Sequence, residues 1–258
     1  MAFSRQMALR LGLLAVVASI LPAAEVGNTS IFERYIALNS CIDQAGQAVT
    51  ARRFPEAQRL LEPCLQKVPD HFEAHFLLAR MAYEDRDYAG ALAHVETSEH
   101  SLADLDRRYR KEQADLQAQD AAQEQAYRGS LEHLKNLDDD PGGCCGFLLR
   151  VKQDAIDYLE AKKGHLYDLQ NPFAVPADYR FLHGNCLYRL GRRDEALIQY
   201  RLAVQTDPTH ANAWNNLIAL LLETPDLPSA RAELAQAEAA HVAIQPGLKN
   251  AVLGISPR

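Results

Sequence analysis

A fixed period of 34 residues constrains the fold of this chain more than any other feature of its sequence. Ala57 and Ala91 stand 34 residues apart, and an aromatic residue precedes each of them by three positions. The same period separates Ala196 from Ala230. A period of this length indicates stacked structural units, each of which buries its apolar face only against its neighbours. The chain is therefore expected to contain four such units.

Each unit shows the apolar spacing of two amphipathic helices that are joined by a tight turn. Small residues stand at the expected helix crossings, with Gly184 opposite Ala196 and Ala79 opposite Ala91. A side chain larger than alanine at these positions would push the two helices apart. The sequence therefore predicts an all-α fold of antiparallel helix pairs.

The pattern resembles the tetratricopeptide repeat. The unit at 177–210 fits best, through residues that include Gly184, Leu187, Ala196, Tyr200, Ala203 and the closing Asp207 and Pro208. Parts of the pattern recur at 38–71, 72–105 and 211–244. The resemblance implies a right-handed superhelical solenoid that binds a protein or peptide, with no enzymatic activity and no cofactor.

The first unit departs from the family pattern at Pro63. A proline inside a helix removes a backbone hydrogen-bond donor, so we expect a kink in the second helix of this unit.

Residues 106–176 lack the repeat pattern and are predicted to form an insertion. From Ala91 to Arg128 there is neither glycine nor proline, which allows one very long helix or a break near Ser101, where a capping box is possible. Phe147–Lys163 is again amphipathic, so the insertion is expected to fold back as a long helical hairpin. The turn of this hairpin would be DDDPGGCCG, at 138–146.

The N-terminus has the composition of a bacterial secretory signal peptide. Two arginines precede a short apolar run that ends in small residues, and cleavage is expected after Ala23 or Ala24. An uncleaved anchor is the alternative. Removal of 1–24 takes away two arginines and no acid, which moves the net charge from −7 to −9. A chain this acidic is a poor candidate for binding nucleic acid. We expect an exported protein of the periplasm or the extracellular space, without a membrane span after cleavage.

These observations together predict five segments, with the oligomeric state left open. In order, they are a signal peptide (1–24), an N-terminal helix with units one and two (25–105), the helical hairpin insertion (106–176), units three and four (177–244) and a C-terminal tail (245–258).

The sequence contains no metal-protease, hydrolase, phosphate-loop or paired CxxC motif, which favours a protein that is not an enzyme. His71 and His75 could share a helix face as metal ligands do. His75, however, falls where the family places a core aromatic residue, so we predict a packed histidine and no metal site. Glu96, Glu99 and His100 are expected to form a solvated face.

The family lines its concave surface with fixed positions of the first helix in each unit. Carried over to this chain, those positions are Phe76, Arg80 and Tyr83 in unit two, Phe181, Asn185, Tyr188 and Arg189 in unit three, and Asn212, Asn215 and Asn216 in unit four. Asn185 and Asn216 match two asparagines of the family's carboxylate clamp, whereas Phe181 replaces its first lysine. The resemblance implies a groove of aromatic and amide side chains that binds a peptide. The alternative is that these residues pack against the insertion or line a solvated surface.

Five cysteines remain after signal cleavage, and an odd number leaves at least one unpaired within the chain. We predict that Cys186 is bridged to Cys144 or Cys145. Cys41 and Cys64, on the two helices of unit one, could also pair. Their positions along those helices, however, are expected to miss each other by nearly one helical turn. An alternative function is a thiol-dependent redox or metal-handling protein that uses Cys144 and Cys145.

Overall fold

The computed structural model describes residues 35, 37–135, 173–224 and 226–255. The predicted signal peptide, the turn at 138–146 and the helix at Phe147–Lys163 lie outside the described residues, so the inserted hairpin stays a prediction. The helices are α1 (Asn39–Thr50), α2 (Phe54–Lys67), α3 (Phe72–Glu84), α4 (Tyr88–Lys135), α5 (Ala177–Arg189), α6 (Arg193–Thr206), α7 (Ala211–Glu223), α8 (Leu227–Ala239) and α9 (Pro246–Leu253).

The fold is a right-handed solenoid of antiparallel helix pairs, and the described residues contain no strand. Repeat one is α1 with α2, repeat two is α3 with the first part of α4, repeat three is α5 with α6, and repeat four is α7 with α8. Where the helices of a pair cross, Ala45, Ala57, Ala196 and Ala230 have no exposed surface. The predicted fold class is therefore confirmed.

A left-handed residue at one position turns the chain from the first to the second helix of the first three repeats. Its φ is 58° at Arg52, 64° at Arg86 and 80° at Gly191. In each turn the next amide donates a hydrogen bond to the carbonyl five residues earlier, at 2.8–2.9 Å. This is the Schellman arrangement, which satisfies carbonyls at a helix end. Repeats one and two accept the steric cost of a side chain where repeat three has glycine.

Repeats two and three pack directly against each other although residues 106–176 separate them in sequence. The rings of Phe76 on α3 and Tyr179 on α5 stack with centroids 3.8 Å apart. The guanidinium of Arg180 contacts the carboxylate of Glu99 at 2.9 Å. All four repeats belong to one compact unit, which consists of Met1–Ala103 and Phe173–Arg258.

The second compact unit comprises Asp104–Pro172. Its described part is the C-terminal portion of α4, a polar helix carrying ion pairs within successive turns, such as Arg110 with Asp106 and Arg128 with Glu124. No helix in the described part of the chain is both long and apolar enough to cross a membrane.

Helix α4 continues through Ser101 without a break. The Ser98 hydroxyl donates a hydrogen bond to the Phe72 carbonyl at 2.7 Å, and Ser101 is buried. Both serines contribute to packing. Ser101 therefore does not begin a new helix, and the possible capping box is not formed. Pro63 likewise lies within a continuous α2.

The C-terminal segment, predicted as a tail or capping turn, contains the helix α9, which packs against repeat four. Val252 of α9 is fully buried. The backbone carbonyl of Val252 accepts a hydrogen bond from Arg231 on α8, at 3.2 Å. Helix α9 packs against both helices of repeat four and covers part of its apolar face.

The described cysteines test one of the two expectations about cysteine pairing, the one for Cys41 and Cys64. The sulfur atoms of Cys41 and Cys64 lie in contact, so the expectation that they miss each other by nearly a turn is wrong. Cys186 has no exposed surface and forms no disulfide with another described cysteine. Burial raises the pKa of the Cys186 thiol to about 12, so it packs as a small apolar side chain. Cys144 and Cys145 lie outside the described residues, so their bridge to Cys186 stays a prediction.

Candidate ligand-binding groove

One face of the solenoid carries most of the residues predicted to bind a partner, and we call it the groove face. It is formed by the first helices of repeats two, three and four. Its exposed or half-buried members are Arg80, Tyr83, Asn185, Tyr188, Arg189, Asn212 and Asn216.

Two asparagines form the centre of the groove face. The Asn185 Oδ1 atom accepts hydrogen bonds from the Tyr200 hydroxyl and from Asn216 Nδ2, both at 2.8 Å. These bonds orient both amides. Within the described part of the chain, Asn185 Nδ2 and Asn216 Oδ1 have no hydrogen-bond partner. The pair therefore presents one amide donor and one amide acceptor for a ligand.

Tyr188 is tied to the last turn of α7. Its hydroxyl donates a 2.6 Å hydrogen bond to the Glu223 carboxylate, which also pairs with Arg193 at 3.3 Å. This hydrogen bond raises the pKa of Tyr188, because the phenol must keep its proton to donate. The ring is thus held in place while part of its surface stays accessible.

Arg189 is surrounded by aromatic side chains. Its Nε donates to the Tyr83 hydroxyl at 3.4 Å, and its guanidinium lies 5.8 Å from the centre of the Tyr88 ring. This arrangement supplies a cation beside aromatic surface. Arg80, on α3, forms no ion pair with any described residue.

Three predicted groove residues serve mainly in packing. Phe76 is buried in its stack on Tyr179. Asn215 is also buried; its Oδ1 accepts from the Gln245 amide at 2.9 Å and thereby holds the start of α9. These two placements correct the prediction that both residues face a ligand. Phe181 is half-buried against Tyr200 and His210.

Glu99 lies in a half-buried polar cluster, not on the predicted solvated face. Its Oε2 contacts Arg180 at 2.9 Å and His183 Nδ1 at 3.2 Å. Its Oε1 is buried without a hydrogen-bond partner among the described residues. Glu96 and His100 are exposed as predicted. The sequence missed Glu99 because its partners are more than 80 residues away.

Sequence reasoning also missed three groove contributors: Tyr88, Tyr200 and Glu223. Tyr200 was visible as a repeat aromatic, but only the folded structure shows that its hydroxyl orients Asn185. Across the described residues, no group of three or more His, Cys, Asp or Glu side chains is placed to hold a metal ion.

A comparison with protein-family models agrees with this architecture. A family model for the tetratricopeptide repeat matches residues 42–101 and 181–247. No curated protein matches the chain in sequence. Among solved structures, the chain is similar to YrrB, described as a TPR protein with an unusual peptide-binding site; the identity is 18%, the match covers 83% of this chain and 89% of that one, and the TM-score is 0.28.

The chain is also similar to TTC0263, a TPR protein of Thermus thermophilus. There the identity is 18%, the match covers 84% of this chain and 98% of that one, and the TM-score is 0.34. The two segments matched by the family model cover the four helix pairs of the solenoid. The chain belongs to the tetratricopeptide repeat family.

Proposed function

We propose that the groove face binds an extended peptide segment of a protein partner, and that the protein acts by binding and not by catalysis. A tetratricopeptide repeat fold is a scaffold for protein–protein interaction. The observation that carries the proposal is the pair of unsatisfied amide groups on Asn185 and Asn216. Each peptide unit offers one N–H donor and one C=O acceptor, so this pair is complementary to a peptide backbone.

The residues around the amide pair support the same function. Tyr83 and Tyr188 supply aromatic surface that is already held by hydrogen bonds, so little side-chain entropy is lost on binding. Arg189 adds a positive charge beside them. A ligand that combines backbone groups with apolar and acidic side chains fits this composition.

The test is a selection of binding peptides from a random library, followed by measurement of their affinities. We expect selected peptides to bind the wild-type protein, and to bind an Asn185→Ala, Tyr188→Ala double variant at least about tenfold more weakly, because a backbone hydrogen bond and an aromatic contact are both lost. Ile198→Ala is the control, since Ile198 is 54% exposed on α6, outside the groove face.

Circular dichroism of each variant establishes that the helices are retained. If the double variant keeps both its helical spectrum and its affinity for the peptides, the groove face is not the binding surface.

We also propose that the protein is exported through the signal peptide at 1–24 and serves as a scaffold in an envelope assembly. The contact between Cys41 and Cys64 supports export, because cysteine pairs persist as disulfides in oxidising compartments. Expression of the full chain in a bacterial host, with mass spectrometry of the N-terminus and of non-reduced peptides, tests this. The expected result is a periplasmic or extracellular chain that starts at Ala24 or Glu25 and carries a Cys41–Cys64 bridge; a cytoplasmic chain with an intact N-terminus contradicts export.

A further inference from the structure

Two histidine rings of repeat two point a nitrogen at each other. The Nδ1 atoms of His75 on α3 and His94 on α4 are 3.1 Å apart, and the ring centroids are 5.2 Å apart. The other nitrogen of His75, Nε2, lies 2.8 Å from the Pro69 carbonyl oxygen. A carbonyl oxygen only accepts, so Nε2 carries the proton, and Nδ1 of the neutral ring accepts a hydrogen bond from Nδ1–H of His94. A metal ion would replace this hydrogen bond, with the His94 proton moved to its Nε2 atom.

Repeat four shows that packing does not require this second nitrogen. Trp214 occupies the position of His75 in its repeat, and its Nε1 donates to the Pro208 carbonyl at the same distance, 2.8 Å. The tryptophan side chain donates its single N–H to the carbonyl of the turn and has no other polar atom. His75 performs the same task with Nε2 and, in addition, presents Nδ1 to His94.

The geometry of the pair fits two ligands of one metal ion. A zinc-like ion about 2.1 Å from two imidazole nitrogens, at a tetrahedral angle, holds those nitrogens roughly 3.4 Å apart. The observed separation of 3.1 Å needs a small adjustment of two half-buried side chains. Metal-ligating histidines usually donate their other N–H to a carbonyl or carboxylate, which fixes the ring; Pro69 provides such a partner for His75.

The two imidazole nitrogens stand without a third protein ligand among the described residues. With no cluster of three potential ligands in the described part of the chain, water would fill the remaining coordination positions.

We propose that His75 and His94 form a two-histidine site for a divalent first-row transition-metal ion, with water as the remaining ligands. A bound ion would join α3 to α4 at the end of repeat two that lies beside the α2–α3 turn. This site is separate from the groove face, and it does not depend on the proposed peptide binding.

The test is a calorimetric titration of the full chain with Ni²⁺ near pH 7.5. Other repeats of the chain provide the substitutions: His75→Trp copies Trp214 of repeat four and keeps a donor for Pro69, and His94→Gln copies Gln199 of repeat three. His100→Gln is the control, because His100 is exposed on the same helix. We expect the wild-type protein and the control to bind Ni²⁺ at one common site, and either ligand variant to bind there at least about tenfold more weakly.

Thermal unfolding gives an independent reading, since an ion that binds only the folded state raises the unfolding temperature. Ni²⁺ should raise it for the wild-type protein and the control, and not for the ligand variants. Absence of Ni²⁺ binding in the wild-type protein overturns the proposal, as does undiminished binding in either variant. If His75→Trp does not fold, as judged by circular dichroism, His94→Gln alone decides between these outcomes.

Discussion

Gly184 of α5 lies against the ring of Tyr200 on α6, so closely that no side chain fits between them. A Cβ atom at position 184 would stand 2.6 Å from the Tyr200 Cε1 atom. The ring has little freedom to move, because it is 2% exposed and its hydroxyl is bonded to Asn185. Glycine is therefore required here by packing, even though it is a poor helix former.

We predict that Gly184→Ala destabilises the protein by about 1–3 kcal/mol in urea unfolding, because overpacking outweighs the better helix propensity of alanine. Gly129→Ala on α4 is the matched control, since a Cβ there meets nothing within 4 Å. It should stabilise by up to about 1 kcal/mol. If both substitutions raise the free energy of unfolding by the same amount, position 184 can accommodate a methyl group.

At the scale of the helix, histidines cap the N-termini of α3 and α7 at the same repeat position. The Nδ1 atoms of His71 and His210 accept from the amides of Ala74, at 3.4 Å, and Ala213, at 3.0 Å. The environments of the two rings differ. Burial lowers the pKa of His71 to about 4, while the hydrogen bond to the Asp178 carboxylate raises the pKa of His210.

These opposite shifts predict opposite pH dependences for the two caps. The unfolded state takes up a proton near pH 6.5, whereas folded His71 resists protonation until about pH 4, so stability is lost as the pH falls between these values. The loss is on the order of 2 kcal/mol at pH 5. His71→Asn should therefore lose less stability than the wild-type protein between pH 7.5 and pH 5, as measured by urea unfolding.

For His210 the sign is reversed. Its folded pKa is raised, so the stabilisation from its ion pair with Asp178 is fully present below pH 6.5 and is lost as the pH rises through the folded value. His210→Asn should lose more stability than the wild-type protein on acidification. A variant at the exposed His100 serves as the reference for both caps. The same pH profile in all three variants would contradict the assigned shifts.

At the scale of the whole molecule, contacts across the insertion join the two halves of the solenoid. Arg180 and His183 of repeat three bind the same carboxylate oxygen of Glu99 in repeat two. In stacked repeats, such contacts between neighbours determine whether the array unfolds as one unit.

We predict that Glu99→Ala makes the unfolding of the solenoid less cooperative, because it leaves Arg180 partly buried without its carboxylate. Trp214, the single tryptophan of the chain, reports on repeat four, and circular dichroism reports on all helices. The two urea midpoints should coincide in the wild-type protein and separate in the variant. His100→Ala is the control, because His100 is exposed on the same helix. Coincident midpoints in the Glu99 variant would show that the contact does not couple the halves.

The helix pairs and their order follow from the sequence alone, because they depend on local spacing. The 34-residue period, the small residues such as Ala57 and Gly184, and the apolar faces all lie within single hairpins, and they predicted the solenoid. The same offsets predicted Asn185, Tyr188 and Asn216 as partner-binding residues, and each of them is at least partly exposed. These features needed no knowledge of distant contacts.

Only the tertiary structure decided which candidates on the first helices are open to a ligand. Phe76 is closed off by Tyr179, which approaches from beyond the insertion, and Asn215 is used by Gln245 at the start of the capping helix. Glu99 is likewise half-buried in the interface between repeats two and three, because Arg180 from beyond the insertion contacts it. The exposure of a residue in a solenoid depends on the element that packs against its helix, and here those elements are brought into place by long-range packing that a repeat pattern does not encode.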